Sequence, residues 1–205
     1  MNRRSLIQSL KQEGYSSFII NAFIKVKRED FIPQNLKERA YINTALPTLD
    51  GQTISQPSCI ALMLNMLDLE KIKNKHSIKI LEIGSGTGYV LALLNSILPK
   101  ADIYGLEINA SLAELSHNLL KSNKKIKIIN QSGTMGFKEQ APYDRILISA
   151  SAKSKDIILN LASQLKEGGI IISPAGYDLI KIKRAKSSII KEELKNAVMF
   201  VPLVD

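Results

Sequence analysis

The ten residues from Ile80 to Tyr89, ILEIGSGTGY, limit what this chain can fold into more than any other stretch. Ile80 to Ile83 is apolar apart from Glu82, which predicts a short buried strand. Glycine then recurs at alternate positions, Gly84, Gly86 and Gly88, and the apolar segment Val90–Leu98 follows. A strand running into such a turn and then a helix is the first β-turn-α unit of a nucleotide-binding sheet. The glycines let the backbone turn tightly and let a ligand reach the amides without Cβ interference. The next helix points its N-terminus at that ligand.

The elements around this unit alternate. Ile103–Glu107, Ile126–Asn130, Arg145–Ser149 and Ile170–Ser173 are predicted strands. A helix over Ser111–Lys121, capped by Asn109, and another over Ile157–Leu165, ended by Gly168-Gly169, separate them. Leu179–Arg184 and Val198–Val201 read as strands with no long helix between them, hence an antiparallel hairpin on the sheet edge. The expected fold class is α/β, a doubly wound and mostly parallel sheet. Two short helices precede it as an N-terminal cap, residues 3–12 with Leu6, Ile7 and Leu10, and residues 16–26 with Ile19, Ile20 and Phe23. A third helix is expected over 57–69. The thirty-odd residues Lys27–Pro57 between them have little periodicity but hold Phe31, Ile32, Tyr41 and Leu46, so an ordered, functional loop is expected. The expected division is residues 1–57, helices and active-site loop, and residues 58–205, the cofactor-binding sheet, together one compact unit.

Composition narrows the setting. At 45% hydrophobic residues a sizeable core is available, and no apolar run approaches the ~18–20 residues of a membrane span. Polar Gln8, Lys11, Gln12 and Glu13 argue against a signal-peptide apolar region behind Arg3-Arg4. Cys59, the single cysteine, cannot form an intrachain disulfide, and a reducing cytoplasm is the expected compartment. A net charge of +9 raises the question of nucleic acid. The lysines are scattered and few aromatics interleave with them, so no stacking platform is visible and nucleic acid is not the expected partner. Two histidines and one cysteine, widely spaced, give no metal pattern.

The loop's ligand follows by comparison of motifs. A phosphate-binding loop needs Lys-Ser or Lys-Thr after its last glycine, and none follows Gly88. A dinucleotide fingerprint needs glycine where Tyr89 stands. The pattern Glu82-x-Gly84-x-Gly86-x-Gly88 resembles the first motif of the class I methyltransferases, which bind S-adenosyl-L-methionine. Glu107 ends the second strand, where its carboxylate can accept from both ribose hydroxyls. That position also suits a nicotinamide dinucleotide, so Glu107 alone leaves both cofactors open. The third and fourth strands are expected to supply the rest of the pocket at their carboxyl ends, Gln131-Ser132-Gly133 and Ser149-Ala150-Ser151.

A second block lies in the loop before the sheet: Gly51-Gln52-Thr53-Ile54-Ser55-Gln56-Pro57. From the residues alone, Ser55 suits a helix N-cap with Pro57 in the first turn. No Gly-x-Ser-x-Gly elbow or partnering histidine makes it a hydrolase nucleophile. Together with Val26-Lys27-Arg28-Glu29-Asp30-Phe31-Ile32-Pro33, Ala40-Tyr41, Leu46-Pro47, Leu81–Tyr89, Ala141-Pro142-Tyr143-Asp144, Pro174-x-Gly176 and Phe200-Val201-Pro202-Leu203, this block resembles the protein-L-isoaspartate O-methyltransferases along nearly the whole chain.

The resemblance implies a Rossmann-like methyltransferase that moves a methyl group from S-adenosyl-L-methionine to the free α-carboxylate of L-isoaspartyl residues in damaged proteins. It makes Ser55 the counterpart of the family's active serine, with an orienting role, and aligns Thr53, Ile54 and Val201 with substrate-binding positions. It aligns Glu82, Gly84, Ser85, Gly86, Gly88, Glu107, Ile108, Ser132 and Gly133 with cofactor positions. The family usually has Gly-Asp-Gly where this chain has Gln131-Ser132-Gly133. The implied partners are isoaspartyl-containing peptides and proteins, met by a monomer, with no metal, nucleic acid or membrane. A related methyltransferase with another substrate, and a non-catalytic cofactor- or nucleic-acid-binding relative, remain as alternatives.

Overall fold

The computed structural model describes residues 2–152, 154–186, 188–195 and 200–203. The first strand of the parallel sheet is Lys79–Ile83 (β3), and Ile80 and Leu81 are both fully buried. Successive side chains point to opposite faces, so burial of both neighbours means that both faces of the sheet are covered. Ile80 joins one apolar cluster and Leu81 the other.

Five parallel strands form the centre: β3, Asp102–Glu107 (β4), Ile126–Asn130 (β5), Tyr143–Ile148 (β6) and Leu165–Ala175 (β7). Two antiparallel strands, Asp178–Arg184 (β8) and Ile189–Leu194 (β9), extend one edge. The order is β5-β4-β3-β6-β7-β8-β9, so the chain starts in the middle, runs to one edge and returns to build the other. The reversal lies between β4 and β6 on either side of β3, where doubly wound sheets open a ligand crevice.

On one face the cluster gathers residues of Arg3–Gln12 (α1), Ser17–Lys25 (α2), Pro57–Met66 (α3) and Tyr89–Ile97 (α4). On the other, Ile158, Leu161 and Ala162 of Lys155–Ala162 (α6) pack with Ile146, Ile148 and Ile171. Ala110–Leu120 (α5) starts at Asn109, whose Oδ1 accepts from the Leu112 amide at 2.9 Å, as its cap position predicts. The N-terminal helices thus share a core with the sheet.

Charge is buried at the opposite, N-terminal end of the strands. Asp144 has no exposed side-chain surface and accepts from Lys75 Nζ (2.9 Å), Lys166 Nζ (2.6 Å) and the Lys79 amide (3.0 Å). It ties β6 to β3 and β7, and these donors hold its carboxyl below the usual range against the opposing effect of burial.

Three sequence expectations are corrected. Gly168-Gly169 does not end α6, which stops at Ala162; it forms a bulge inside β7, where Leu165 pairs with Tyr143 but Ile170 pairs with Arg145. The outermost strand is Ile189–Leu194, not Val198–Val201. Val198 lies outside the described residues, and Val201 belongs to an extended segment whose neighbour Pro202 bridges Ser151. Ser55 is not the cap of α3. Gln56 occupies that position without a side-chain cap bond, and Asn43 Oδ1 accepts from the Ser58 amide at 3.0 Å instead.

Candidate active site

The segment Lys27–Pro57 is ordered, as expected, and its shape comes from a short hairpin. Leu46–Pro47 (β1) pairs antiparallel with Thr53–Ile54 (β2). Asp50 and Gly51 both have positive φ, 52° and 72°, and Gln52 donates to the Leu49 carbonyl at 3.0 Å. Both central residues at positive φ make this a type I′ turn, for which Asp-Gly is a favoured pair. The Asp-Gly signal was available in the sequence.

Three contacts hold the hairpin over the sheet. Asn109 Nδ2 donates to Asp50 Oδ2 at 2.9 Å, fastening the hairpin tip to the start of α5. Arg28, fully buried, donates through Nη2 to the Thr44 carbonyl at 3.3 Å and lies 5.4 Å from the Tyr89 ring centroid. Burial lowers the Arg28 pKa to about 10, so it stays cationic at neutral pH. Asn43 caps α3, as described above. Asp50 and Asn109 carried local turn and cap signals and Arg28 belonged to a family block, but their contacts with one another's segments were not signalled.

Beneath the hairpin, Gly84, Gly86 and Gly88 all have positive φ (75°, 53° and 86°). The Glu107 carboxylate holds the turn: the Gly86 amide donates to Oε2 at 2.7 Å and the Asn109 amide to Oε1 at 2.9 Å. Glu82, 1% exposed, accepts from Ser149 Oγ at 2.7 Å through Oε1, while its Oε2 has no partner. Burial first, then the neighbouring Glu107 charge, raises the Glu82 pKa to about 8 against the Ser149 bond. Ser85 Oγ is likewise buried and unpartnered.

Three cavities meet here. The first, of about 60 Å³, is lined by Gly84, Gly86, Leu106, Glu107, Ile108, Leu112, Gly133 and the C-terminal Val201-Pro202-Leu203. The second, of about 40 Å³, is lined by Glu82, Gly84, Ser85, Gly86, Tyr89, Ile54 and Ser55. The third is an open cleft of about 770 Å³ that includes Ser55, Gln56, Phe200 and Val201. Thr53 and Ser149 line all three. The C-terminal wall is fixed to the end of β6, with Ser151 donating to Val201 O (2.7 Å) and Leu203 donating to Ser151 O (2.8 Å).

The structure therefore brings Ser55, Thr53, Ile54, Val201, Glu82, Gly84, Ser85, Gly86, Glu107, Ile108 and Gly133 together around these cavities. Gly88 lines none of the three. A Cβ there would meet Ser116 Oγ at 2.4 Å and Leu120 Cδ1 at 2.7 Å, so it keeps α5 close to the glycine turn. Ser132 lines none of them either; its hydroxyl is 3.1 Å from Thr134 Oγ1, beside Gly133. Ser149, which lines all three, lies at the strand end where the sequence placed part of the pocket. Among the described residues, no group of three His, Cys, Asp or Glu is arranged to hold a metal.

These residues fit an adenosyl sulfonium cofactor on their own chemistry. An acid with both oxygens anchored ends β4, a glycine turn offers open backbone, and an orphaned buried carboxyl oxygen faces the inner cavity. Gly133→Ala is an expected test of the fit. Its Cβ would lie 2.2 Å from Ile83 Cγ2, a clash that costs about 1–3 kcal/mol and shifts the cavity wall. Thermal melting should report the loss, and cofactor calorimetry a weaker affinity. An unchanged melting midpoint would show that the wall yields freely.

A family model described as protein-L-isoaspartate(D-aspartate) O-methyltransferase matches residues 1–205. Relatives named protein-L-isoaspartate O-methyltransferase include that of Methanopyrus kandleri, 34% identical over 98% of this chain and 91% of its own. That of Dictyoglomus turgidum is 38% identical over 98% and 90%. A Plasmodium falciparum protein of the same description, crystallised with S-adenosyl-L-homocysteine, superimposes with a TM-score of 0.80 at 27% identity, covering 100% of this chain and 99% of that one. A further protein-L-isoaspartate O-methyltransferase structure has a TM-score of 0.86 at 24% identity, and this chain spans 66% of its length. On the full-length match and the hairpin-covered glycine turn, this chain belongs to the protein-L-isoaspartate(D-aspartate) O-methyltransferase family.

Proposed function

We propose that the chain is a protein-repair methyltransferase, moving a methyl group from S-adenosyl-L-methionine to the free α-carboxylate of L-isoaspartyl residues in damaged proteins. The observation that carries this reading is the meeting of three cavities at Thr53 and Ser149, which joins the two inner cavities beside the glycine turn, Glu82 and Glu107 to an open cleft beside the hairpin. When bound, the cofactor supplies an electrophilic methyl group. The chain supplies alignment.

A substrate carboxylate is ionised at neutral pH, so no general base is needed. Attack neutralises opposite charges, and it gains from fixed geometry and from exclusion of water. In this reading Glu107, Ile108 and Gly133 hold the adenosine end, with Ser132 beside Gly133 at its edge, and Glu82, Gly84, Ser85 and Gly86 hold the amino-acid end. Gly88 supports them from behind through its packing on α5. Thr53 and Ile54 offer strand backbone to an extended peptide, with Val201 opposite. The half-buried Ser55 hydroxyl, freed from capping because Asn43 takes that task, orients the substrate carboxylate. The protein works as a monomer in the reducing cytoplasm, without nucleic acid.

Incubation of the protein with S-adenosyl-L-methionine and an isoaspartyl peptide should yield a base-labile methyl ester, with none on the matching aspartyl peptide. Ser55→Ala should lower kcat/KM about 10- to 100-fold, the loss expected for a hydrogen bond to a charged group. Equal methylation of both peptides, or none of either, would overturn the proposal.

A further inference from the structure

The outer part of the open cleft contains residues that methyl transfer itself does not use. Beyond the inner cavities its lining includes Glu13, Tyr15, Cys59, Leu62 and Tyr177 beside the polar Thr44, Gln56 and Ser58, with Phe200 at the junction. Glu13 is the single charged side chain among the lining residues described. It is the C-cap residue of α1, so its place at the rim is set by the end of that helix and by Gly14, which turns the chain with φ 85°. Ser9 Oγ donates to its Oε1 at 3.4 Å, and among the described residues no lysine or arginine forms an ion pair with it. In a chain of net charge +9, the one charge among the described lining residues of this cleft is negative.

The groups around it cannot supply that cation. Burial, then the Glu13 charge and a hydrogen bond to Glu13, pushes the Tyr15 phenol up to about 12, and the Tyr15 hydroxyl also lies 3.4 Å from the Ser58 carbonyl as a donor. Burial and then Glu13 also raise the Cys59 thiol. Both stay neutral at pH 7. Tyr177, 63% exposed, stands on the same cleft with Leu62 and Phe200. A wall holding Leu62, Tyr15, Tyr177 and Phe200 among polar groups, with a carboxylate at its edge, matches a side chain with an aliphatic stem and a cationic head.

We propose that this end of the cleft is a subsite for a lysine or arginine side chain flanking the isoaspartyl residue of a protein substrate. The inference rests on the methyltransferase reading above and adds a rule of selection to it. Damaged sites with a basic neighbour are taken in preference to those with an acidic one, because Glu13 attracts the first and repels the second.

The test uses isoaspartyl peptides identical except for one flanking residue, lysine, glutamine or glutamate, scanned over the nearest positions on either side. They are assayed with the full chain, with Glu13→Gln and with Glu13→Lys, and thermal melting checks that each variant folds. The KM ratio of the glutamate to the lysine peptide should be roughly 5-fold for the unaltered protein at its best position, as expected for partly exposed charges. It should shrink with added salt, approach unity in Glu13→Gln and invert in Glu13→Lys. Equal KM values for the three peptides, or a ratio that survives both substitutions, would overturn the subsite while leaving the methyltransferase reading intact. Failure to methylate any of the peptides would overturn both.

Discussion

Replacing Glu82 by glutamine is expected to raise the melting midpoint of the free protein at pH 8 and to remove most of its loss of stability between pH 4.5 and 8. Glu82 has its pKa raised from 4.5 to about 8 by burial, with Glu107 adding to the shift. The unfolded chain gives up this proton near the lower value and the folded chain holds it to the higher one. Across that window the folded state binds more protons, so stability falls as pH rises. At about 1.4 kcal/mol per pKa unit the cost at pH 8 reaches a few kcal/mol. Glutamine keeps an oxygen for Ser149 and cannot ionise, so the midpoint should rise by roughly 5–10 °C at pH 8 and little at pH 4.5. Cofactor affinity should fall at the same time, because the inner cavity loses the one carboxylate among its described lining residues that a cationic group entering it can ionise. Melting curves of both proteins against pH decide the matter. Parallel curves would mean that Glu82 is already ionised in the free protein.

Glu107→Gln should have the larger effect on function. Both oxygens of Glu107 accept backbone N–H groups, from Gly86 at 2.7 Å and Asn109 at 2.9 Å, and the side chain is 6% exposed. An amide can accept only one of them and turns an NH₂ toward the other. The expected loss is about 2–4 kcal/mol of stability, for one charge-assisted bond lost and a buried donor left unpaired. The glycine turn would lose its anchor on β4 and the adenosine pocket the only acid among its described lining residues. Cofactor affinity measured by calorimetry should drop at least about 100-fold. Binding within a factor of a few of the unaltered protein would show that the turn holds its shape without the carboxylate.

Much of the fold was legible because local patterns and tertiary contacts agree. The apolar run ending in alternate glycines became β3, its turn and α4, and Asn109 capped α5 where its spacing placed it. The errors fall where a partner distant in sequence, or an unusual burial pattern, overrode the local signal. Ser55 has the local form of an N-cap, but Asn43 from the preceding loop takes the Ser58 amide. Gly168-Gly169 resembles a helix terminator, but pairing of Leu165 with Tyr143 had already committed that segment to β7. The strand Ile189–Leu194 escaped notice because it is an edge strand, solvated on both faces, and its Lys-Glu-Glu core shows no two-residue alternation.

The site divides in the same way. The sequence by itself determined the parallel sheet, the glycine turn and the acid at the end of the second strand of that sheet, since these rest on backbone geometry and periodicity within short windows. It also carried the hairpin block that marks the family. Only the tertiary structure decided that the hairpin closes over the turn, through Asp50 on Asn109 and Arg28 on Thr44. It alone set Ser149 between the cavities, oriented Gly88 toward α5 and brought Glu13 from the end of α1 to the rim of the cleft. The physical reason is that such placements depend on contacts between segments tens of residues apart. Those contacts are fixed by burying two apolar faces against one sheet, and no local pattern records them.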